Sequence, residues 1–323
     1  MKVLGIETTA HTFGIGIVDE EKVHSNAKSM FEPEEGGIHP RKASEHHYQN
    51  ALQLINEAEQ ESGISLQDVD VVAFSQGPGI AQCLDVGATA ARALSIRYDA
   101  KLIGVNHCIA HISIGERTQN IENPTTLYVS GGNTQIIEFR KGRYRVVGET
   151  LDAALGNAVD KLARELGYPH PGGPEIEKLA EKTDEILEVT YPIKGMDLSY
   201  SGLVTELKGR VGDIDDELIA NTFQEHAFAA AVEALERAMA QSGSEVALLT
   251  GGVAMNSRLR DMVGKMCEQR GADAYFPPDE FCMDNGAMIA HQGLVQAKEG
   301  FKTDLEDSEV RPDWRPDQVG VEW

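Results

Sequence analysis

Apolar and polar positions along the first hundred residues fall into short alternating blocks. Residues 2–8, 14–19 and 23–30 read as strands, a polar helical pattern runs from about 42 to 62, and 69–75 is an apolar run of strand length. Gly77-Pro78-Gly79 marks a turn, small residues over 84–96 predict a helix, 101–105 is another strand, and a short helix begins after His107. The rhythm then restarts. Residues 126–130, 135–139 and 144–148 read as strands, and helices follow over 154–166, 175–182 and 217–241. Strand 246–250, helix 256–270, strand 273–276 and helix 284–298 complete the second round. A β-β-β-α-β-α unit thus occurs twice, the second time with extra helices, which predicts two similar α/β lobes with a ligand-binding cleft between them. The first lobe is expected over residues 1–118, with an irregular tail, 300–323, packed on it, and the second over 119–299.

Composition narrows the class. A hydrophobic share of 41% with 25% charged residues in 323 positions suits a folded globular protein. No run approaches the roughly 18 apolar residues of a membrane helix. The first residues enter a strand pattern directly and do not read as a secretory leader. Cys83, Cys108, Cys267 and Cys282 are widely spaced with no C-x-x-C pair, as expected of reduced thiols in a cytoplasmic protein. The 29 basic residues stand against 52 acidic ones, a net charge of −23 that repels polynucleotides at long range.

Each unit carries a polar or glycine-rich turn after its first strand, Glu7-Thr8-Thr9-Ala10-His11-Thr12 in one and Ser130-Gly131-Gly132-Asn133-Thr134 in the other. Such turns present backbone N–H groups as an anion nest, and two of them facing each other would clamp a phosphate chain. A third loop, Thr250-Gly251-Gly252-Val253-Ala254-Met255-Asn256, ends a strand and opens a helix, where the helix dipole favours an anion or a nucleotide. His107 and His111, four apart, lie on one helical face and are close enough to share a cation, although the same spacing fits two ordinary surface or core histidines. Asp284 and Tyr128 are candidate further ligands. Asp284 also suits a helix N-cap and Tyr128 a core position.

Taken in order, these motifs resemble a known family. They include Gly36-Gly37-Ile38-His39-Pro40, Ser75-Gln76-Gly77-Pro78-Gly79, Asn106-His107 with Ala110-His111, Tyr128-Val129-Ser130-Gly131-Gly132-Asn133-Thr134, and Asp152 with Asp160-Lys161. Pro171-Gly172-Gly173-Pro174, Ser199-Tyr200-Ser201-Gly202-Leu203, Gly251-Gly252-Val253-Ala254 with Asn256, and Asp284-Asn285-Gly286-Ala287 continue the series to the end of the chain. The whole resembles the universal tRNA threonylcarbamoyladenosine transferase family, called TsaD in bacteria. Asn133 is similar to the archaeal and eukaryotic branch that works in the KEOPS complex. The resemblance implies a duplicated two-lobe fold like that of actin and hexokinase (ribonuclease H-like). It also implies transfer of the threonylcarbamoyl group from threonylcarbamoyl-AMP to the N6 amine of the adenosine following the anticodon in tRNAs reading ANN codons.

By the same resemblance, His107, His111, Tyr128 and Asp284 match a site for one divalent metal ion, iron before zinc. Tyr128, Val129, Ser130, Gly131 and Gly132 match the loop beside the acyl-phosphate. Asp160, Gly173 and Glu177 match residues around the ribose and adenosine, and Gly252 with Asn256 the third loop on the adenine nucleotide. Implied partners are tRNA and KEOPS-type subunits, including a small kinase and a small dimerisation subunit, in a cytoplasmic setting without a membrane. Some archaeal relatives continue into a kinase domain. Thr8 departs from the pattern, standing where glycine is expected.

Two other classes fit these residues less well. A metalloprotease needs a water-activating carboxylate after the first histidine, where this chain has Cys108. A sugar or acetate kinase on the same fold, or an ATP-binding module, would hold magnesium through oxygens rather than imidazoles. Local basic groups exist at Arg140-Lys141-x-Arg143-x-Arg145 and at Arg258-x-Arg260, equally readable as a solvated hairpin and a helix face. With the overall field opposing RNA, tRNA affinity is expected to come mainly from partner subunits.

Overall fold

The computed structural model describes residues 1–33 and 37–321, so Gly36 of the first quoted motif and the last residues of the expected tail lie outside the described residues. The chain divides into two compact units. One comprises Met1–Thr118 together with the chain from Met283 onward, and the other Gln119–Cys282.

The first unit begins with β1 (Val3–Glu7), β2 (Thr12–Val18) and β3 (Val23–Met30), followed by α1 (Pro40–Ser62), β4 (Val71–Gly77), α2 (Ala81–Tyr98), β5 (Lys101–Asn106) and α3 (His107–Gln119). Its sheet has the order β3-β2-β1-β4-β5. β1 runs antiparallel to β2 and parallel to β4, which in turn runs parallel to β5. β1, β2 and β4 are buried along their whole length, the continuous burial expected of strands covered on both faces. α1 starts at Pro40, whose missing N–H is no loss in a first turn, and stops at Gly63 with φ 65°.

The second unit repeats the plan. β6 (Thr125–Val129), β7 (Thr134–Arg140) and β8 (Arg143–Glu149) are followed by α4 (Leu155–Glu165), α5 (Gly173–Ala180), a minimal hairpin of β9 (Ile193–Lys194) and β10 (Asp197–Leu198), α6 (Ser201–Lys208) and α7 (Asp216–Ser242). β11 (Val246–Thr250), α8 (Ser257–Arg270), β12 (Asp273–Tyr275) and α9 (Asp279–Cys282) complete it. The sheet order is β12-β11-β6-β7-β8, the same arrangement as in the first unit. Alanines 227, 230, 231, 234 and 238 thin α7 enough for it to run through the middle of the core, with Ile219, Phe223 and Leu235 filling the space beside it.

One assignment made from the sequence is corrected. The last helix, α10 (Gly286–Lys298), was expected in the second lobe but belongs to the first unit, packed on β1 and β2. Close backbone approach explains this. A Cβ on Gly286 would fall 2.2 Å from the Gly16 nitrogen, and one on Gly5 would fall 2.2 Å from the Ala290 nitrogen. The tail also lies on this unit, where the Gln76 side chain donates to the Asp307 and Glu309 carbonyls at 2.8 and 2.7 Å and the Arg311 N–H donates to the Gln76 carbonyl at 2.7 Å. α6 lies where the sequence pattern predicts no element, between the helices expected over 175–182 and 217–241. Asp152 supplies the missing start signal by accepting from the backbone N–H groups of Tyr200 and Ser201 and from the Ser199 hydroxyl. No helix among the described residues is long and apolar enough to cross a membrane.

Candidate functional site

β5 ends and α3 begins without a connecting loop. The Asn106 side chain makes this possible, accepting from the N–H groups of Cys108 and Ile109 at 3.1 and 3.2 Å and so satisfying donors that a helix start leaves open. His107 therefore occupies the first turn and His111 the next, on one face, with ring centroids 4.8 Å apart and planes at 85°. Asp284 arrives from the segment before α10. The N-cap of that helix is Asn285, whose side chain accepts from the Met288 N–H at 2.9 Å, so the capping role considered for Asp284 is filled by its neighbour. Asp284 Oδ1 lies 3.2 Å from His111 Nε2 and 3.5 Å from His107 Nε2. The three donor atoms fall within 4.8 Å of one another, and both histidines are buried.

A residue not singled out as a ligand or its support completes this arrangement. Glu7, at the end of β1, is fully buried and places Oε2 3.0 Å from His107 Nδ1, while its Oε1 accepts from the Thr9 N–H at 2.5 Å. A carboxylate accepts, so Nδ1 donates to Glu7 and Nε2 is turned toward Asp284. Burial opposes charge on His107, but Glu7 and Asp284 outweigh it and push its pKa up to about 9. Burial, aided by His107, holds His111 below its ordinary value even though Asp284 pulls the other way. Burial would raise the Asp284 pKa, but the two imidazoles keep the carboxyl well below the usual range. Two imidazole nitrogens and one carboxylate oxygen, with the outer nitrogen of one ring tied to a second carboxylate, form a donor set that fits a divalent transition ion such as iron or zinc. Glu7→Gln is therefore expected to weaken metal binding by about 10- to 100-fold, measured by competition with a chelator of known affinity. An unchanged dissociation constant would show that Glu7 does not support the site.

Cys108 between the histidines is fully buried, and burial pushes its thiol pKa upward, which leaves it a protonated core residue. The Thr8 departure also has a physical account. The Thr8 side chain is buried against α2 at Gly87, where an added Cβ would lie 2.3 Å from the Thr8 hydroxyl oxygen. Glycine at 87 accommodates the side chain that Thr8 adds.

The remaining candidates belong to the second unit. β6 and β11 are parallel, and Tyr128 is paired with Thr250, so the loops leaving both strands emerge side by side at their carboxyl ends. Tyr128 and Val129 end β6 buried, while Gly131 and Gly132 in the loop after it are exposed. α4 starts directly on this loop, with the Gly156 N–H donating to the Ser130 carbonyl and the Asn157 N–H to the Gly131 carbonyl, each at 3.2 Å. Asp160 on α4 accepts from the Gly172 N–H at 2.7 Å and lies 3.3 Å from His170 Nδ1, which fixes the loop that delivers Gly173 to the start of α5. Glu177 on α5 accepts from the Ser257 N–H at 2.7 Å. Asn256 caps α8, accepting from the Leu259 N–H at 3.0 Å and donating to Gln224 at 3.1 Å, and Gly252 before it is exposed. The candidates from Ser130 to Asn256 are thus linked through α4, α5 and the start of α8. His107, His111 and Asp284 come together in the first unit, whereas Tyr128 belongs to the second.

Residues 21–291 match the family described as TsaD, tRNA N6-adenosine threonylcarbamoyltransferase. The tRNA N6-adenosine threonylcarbamoyltransferase of Thermococcus sibiricus is 51% identical over 325 aligned residues, covering 100% of both chains. The chain belongs to the tRNA N6-adenosine threonylcarbamoyltransferase family. Within this family, a probable bifunctional tRNA threonylcarbamoyladenosine biosynthesis protein of Methanosphaera stadtmanae is 48% identical, matching 100% of this chain and 61% of the longer relative. Among solved structures, the ROK hexokinase of Thermus thermophilus aligns with a TM-score of 0.52 at 17% identity, covering 93% of this chain and 100% of the hexokinase. That likeness concerns the fold alone, the duplicated actin- and hexokinase-like architecture expected from the resemblance.

Proposed function

We propose that this chain transfers the threonylcarbamoyl group from threonylcarbamoyl-AMP to the N6 amine of the adenosine following the anticodon in tRNAs that read ANN codons. It does so in the cytoplasm, as the catalytic subunit of a KEOPS-like complex with a small kinase and a small dimerisation subunit. The observation that carries this reading is the buried His107–His111–Asp284 cluster braced by Glu7, in a chain of this family matched over its full length. The adenine amine forms a bond to the carbamoyl carbon, the bond from that carbon to the phosphate oxygen breaks, AMP departs, and the amine loses one proton. The anhydride is already activated, so no side-chain nucleophile is needed, and positioning with charge stabilisation supplies the rate.

In this reading His107, His111 and Asp284 hold one divalent ion, iron or zinc. When bound, that ion supplies Lewis acidity toward phosphate and carbonyl oxygens. Tyr128, Val129, Ser130, Gly131 and Gly132 line the acyl-phosphate, where the exposed Gly131 and Gly132 offer N–H groups that donate to anionic oxygens. Asp160 and Glu177 each retain carboxylate acceptor capacity beyond the bonds described, enough to receive ribose hydroxyls. Gly173, Gly252 and Asn256 border the adenine nucleotide at the start of α5 and α8, where helix dipoles favour an anion. The test is a reconstituted assay with the purified chain, its partners, tRNA and labelled threonine. Label on the adenosine amine is expected. No incorporation, together with cleavage of casein, would overturn the reading in favour of a protease.

A further inference from the structure

The β7–β8 hairpin turns through Lys141 and Gly142, with φ of 55° and 72°, the two left-handed positions of a type I′ connection. That turn fixes the register. Arg140 stands opposite Arg143, Phe139 opposite Tyr144, and Glu138 opposite Arg145. Because side chains alternate across a strand, Arg140, Arg143 and Arg145 share one face of the hairpin. Phe139 and Tyr144 share the other, with ring centroids 5.0 Å apart. Like charges directly across a ladder are destabilising, and the aromatic pair beneath them offsets that cost. Four basic residues thus occupy six positions, all four exposed, at the end of the outermost strand pair of the sheet. Glu138 pairs with Arg140 at 3.4 Å and stands across the ladder from Arg145, and Lys141, Arg143 and Arg145 form no ion pair among the described residues.

The other basic group noted in the sequence is already neutralised. Arg258 grips both oxygens of Glu225 at 2.6 and 2.7 Å and also meets Asp261, while Arg260 meets Asp279 at 2.7 Å. Those guanidiniums reach a phosphate only by giving up carboxylates they hold. In a chain of net charge −23, an anionic polymer approaches against the overall field and settles where cations are concentrated and unanswered.

We propose that the tip of the β7–β8 hairpin is the chain's own contact with the phosphate backbone of its RNA substrate, an inference that rests on the tRNA reading above. Its arginines supply paired donors suited to phosphate oxygens, and the rigid two-residue turn holds them in place. The contact is independent of base sequence and adds to whatever affinity partner subunits provide.

The test compares the full chain with the triple variant Lys141→Gln, Arg143→Gln, Arg145→Gln, using tRNA binding across a salt series and the transfer assay. The variant relieves a like-charge pair, so its thermal midpoint should equal or exceed that of the unaltered chain. Expected results are at least a tenfold weaker tRNA affinity near 0.1 M salt and a salt slope smaller in magnitude by about 2 to 3, as three lost phosphate contacts require. The KM for tRNA should rise by a similar factor with kcat preserved. Lys265→Gln, which removes an exposed lysine already paired with Asp261 at 2.8 Å, should leave the slope unchanged. Unchanged affinity and slope in the triple variant would overturn the proposal, as would loss of partner association with tRNA binding intact. Formation of the modified nucleoside by the unaltered chain tests the transferase reading separately.

Discussion

Replacing His111 with alanine is expected to lower the rate of threonylcarbamoyl transfer by roughly a thousandfold and to abolish stoichiometric metal binding. His111 is fully buried, and its Nε2 lies 3.2 Å from the Asp284 carboxylate and within the same donor cluster as His107 Nε2. Its removal leaves a two-donor site, which retains a divalent ion weakly, and a factor of a thousand corresponds to about 4 kcal/mol of transition-state stabilisation. His111→Gln keeps more of the side-chain volume and should lose metal and activity in the same way, which separates the chemical role from packing. Metal content by elemental analysis and transfer from supplied threonylcarbamoyl-AMP are the two readouts. A folded His111→Ala protein with full metal content and full rate would contradict the assignment.

Gly286→Ala is expected to disturb the fold strongly for a single added methyl group. The new Cβ would lie 2.2 Å from the Gly16 nitrogen and 2.3 Å from the Ile15 carbonyl carbon, and neither backbone atom can yield without moving β2 or α10. A loss of about 3 kcal/mol or more is expected in the free energy of unfolding, read from denaturant midpoints. Because Asp284 lies two residues before Gly286, metal affinity should fall as well. Gly264→Ala, in α8 with nothing within 4 Å of the added Cβ, is the comparison. It should be neutral or stabilising by about 0.5–1 kcal/mol. Equal stability of the two variants would show that close packing of α10 does not hold the first unit together.

The contrast between these glycines shows what the sequence makes legible and what it does not. Periodicity revealed the duplicated β-β-β-α-β-α plan because strand and helix patterns are local, and the His107–His111 pair was visible because four residues make one helical turn. The placement of α10 was not visible. It depends on Gly5 and Gly16 meeting a helix more than 260 residues away, and no periodic signal connects them. Glu7 escaped notice as a support for the metal site for the same reason. A carboxylate closing a buried strand looks like part of a loop until the fold brings it against His107 Nδ1. Asp284 was legible as a candidate ligand but not as free of capping, which is settled by the Asn285 side chain accepting from Met288. In the second unit Asp152 was part of a motif without a role, and its bonds to Ser199, Tyr200 and Ser201 show that it organises the start of α6. Where the sequence misled, the deciding interactions join residues distant in the chain.

The net negative charge of the chain is relieved at one place. A net charge of −23 suggested that RNA must be met by a local basic patch or by a partner. One of the two basic groups in the sequence is consumed by ion pairs on α8, and the other stands exposed on a tight hairpin.

The central claim is that this chain moves a threonylcarbamoyl group using a metal held by His107, His111 and Asp284. Its most direct test is single-turnover transfer from carbonyl-labelled threonylcarbamoyl-AMP to tRNA, with the chain and its partners stripped of metal and then reloaded. The loaded protein should place the labelled carbon on the adenosine N6 and release AMP one for one, while the stripped protein should be slower by at least about a hundredfold. Full transfer by the stripped protein, or AMP release without the labelled nucleoside, would contradict it.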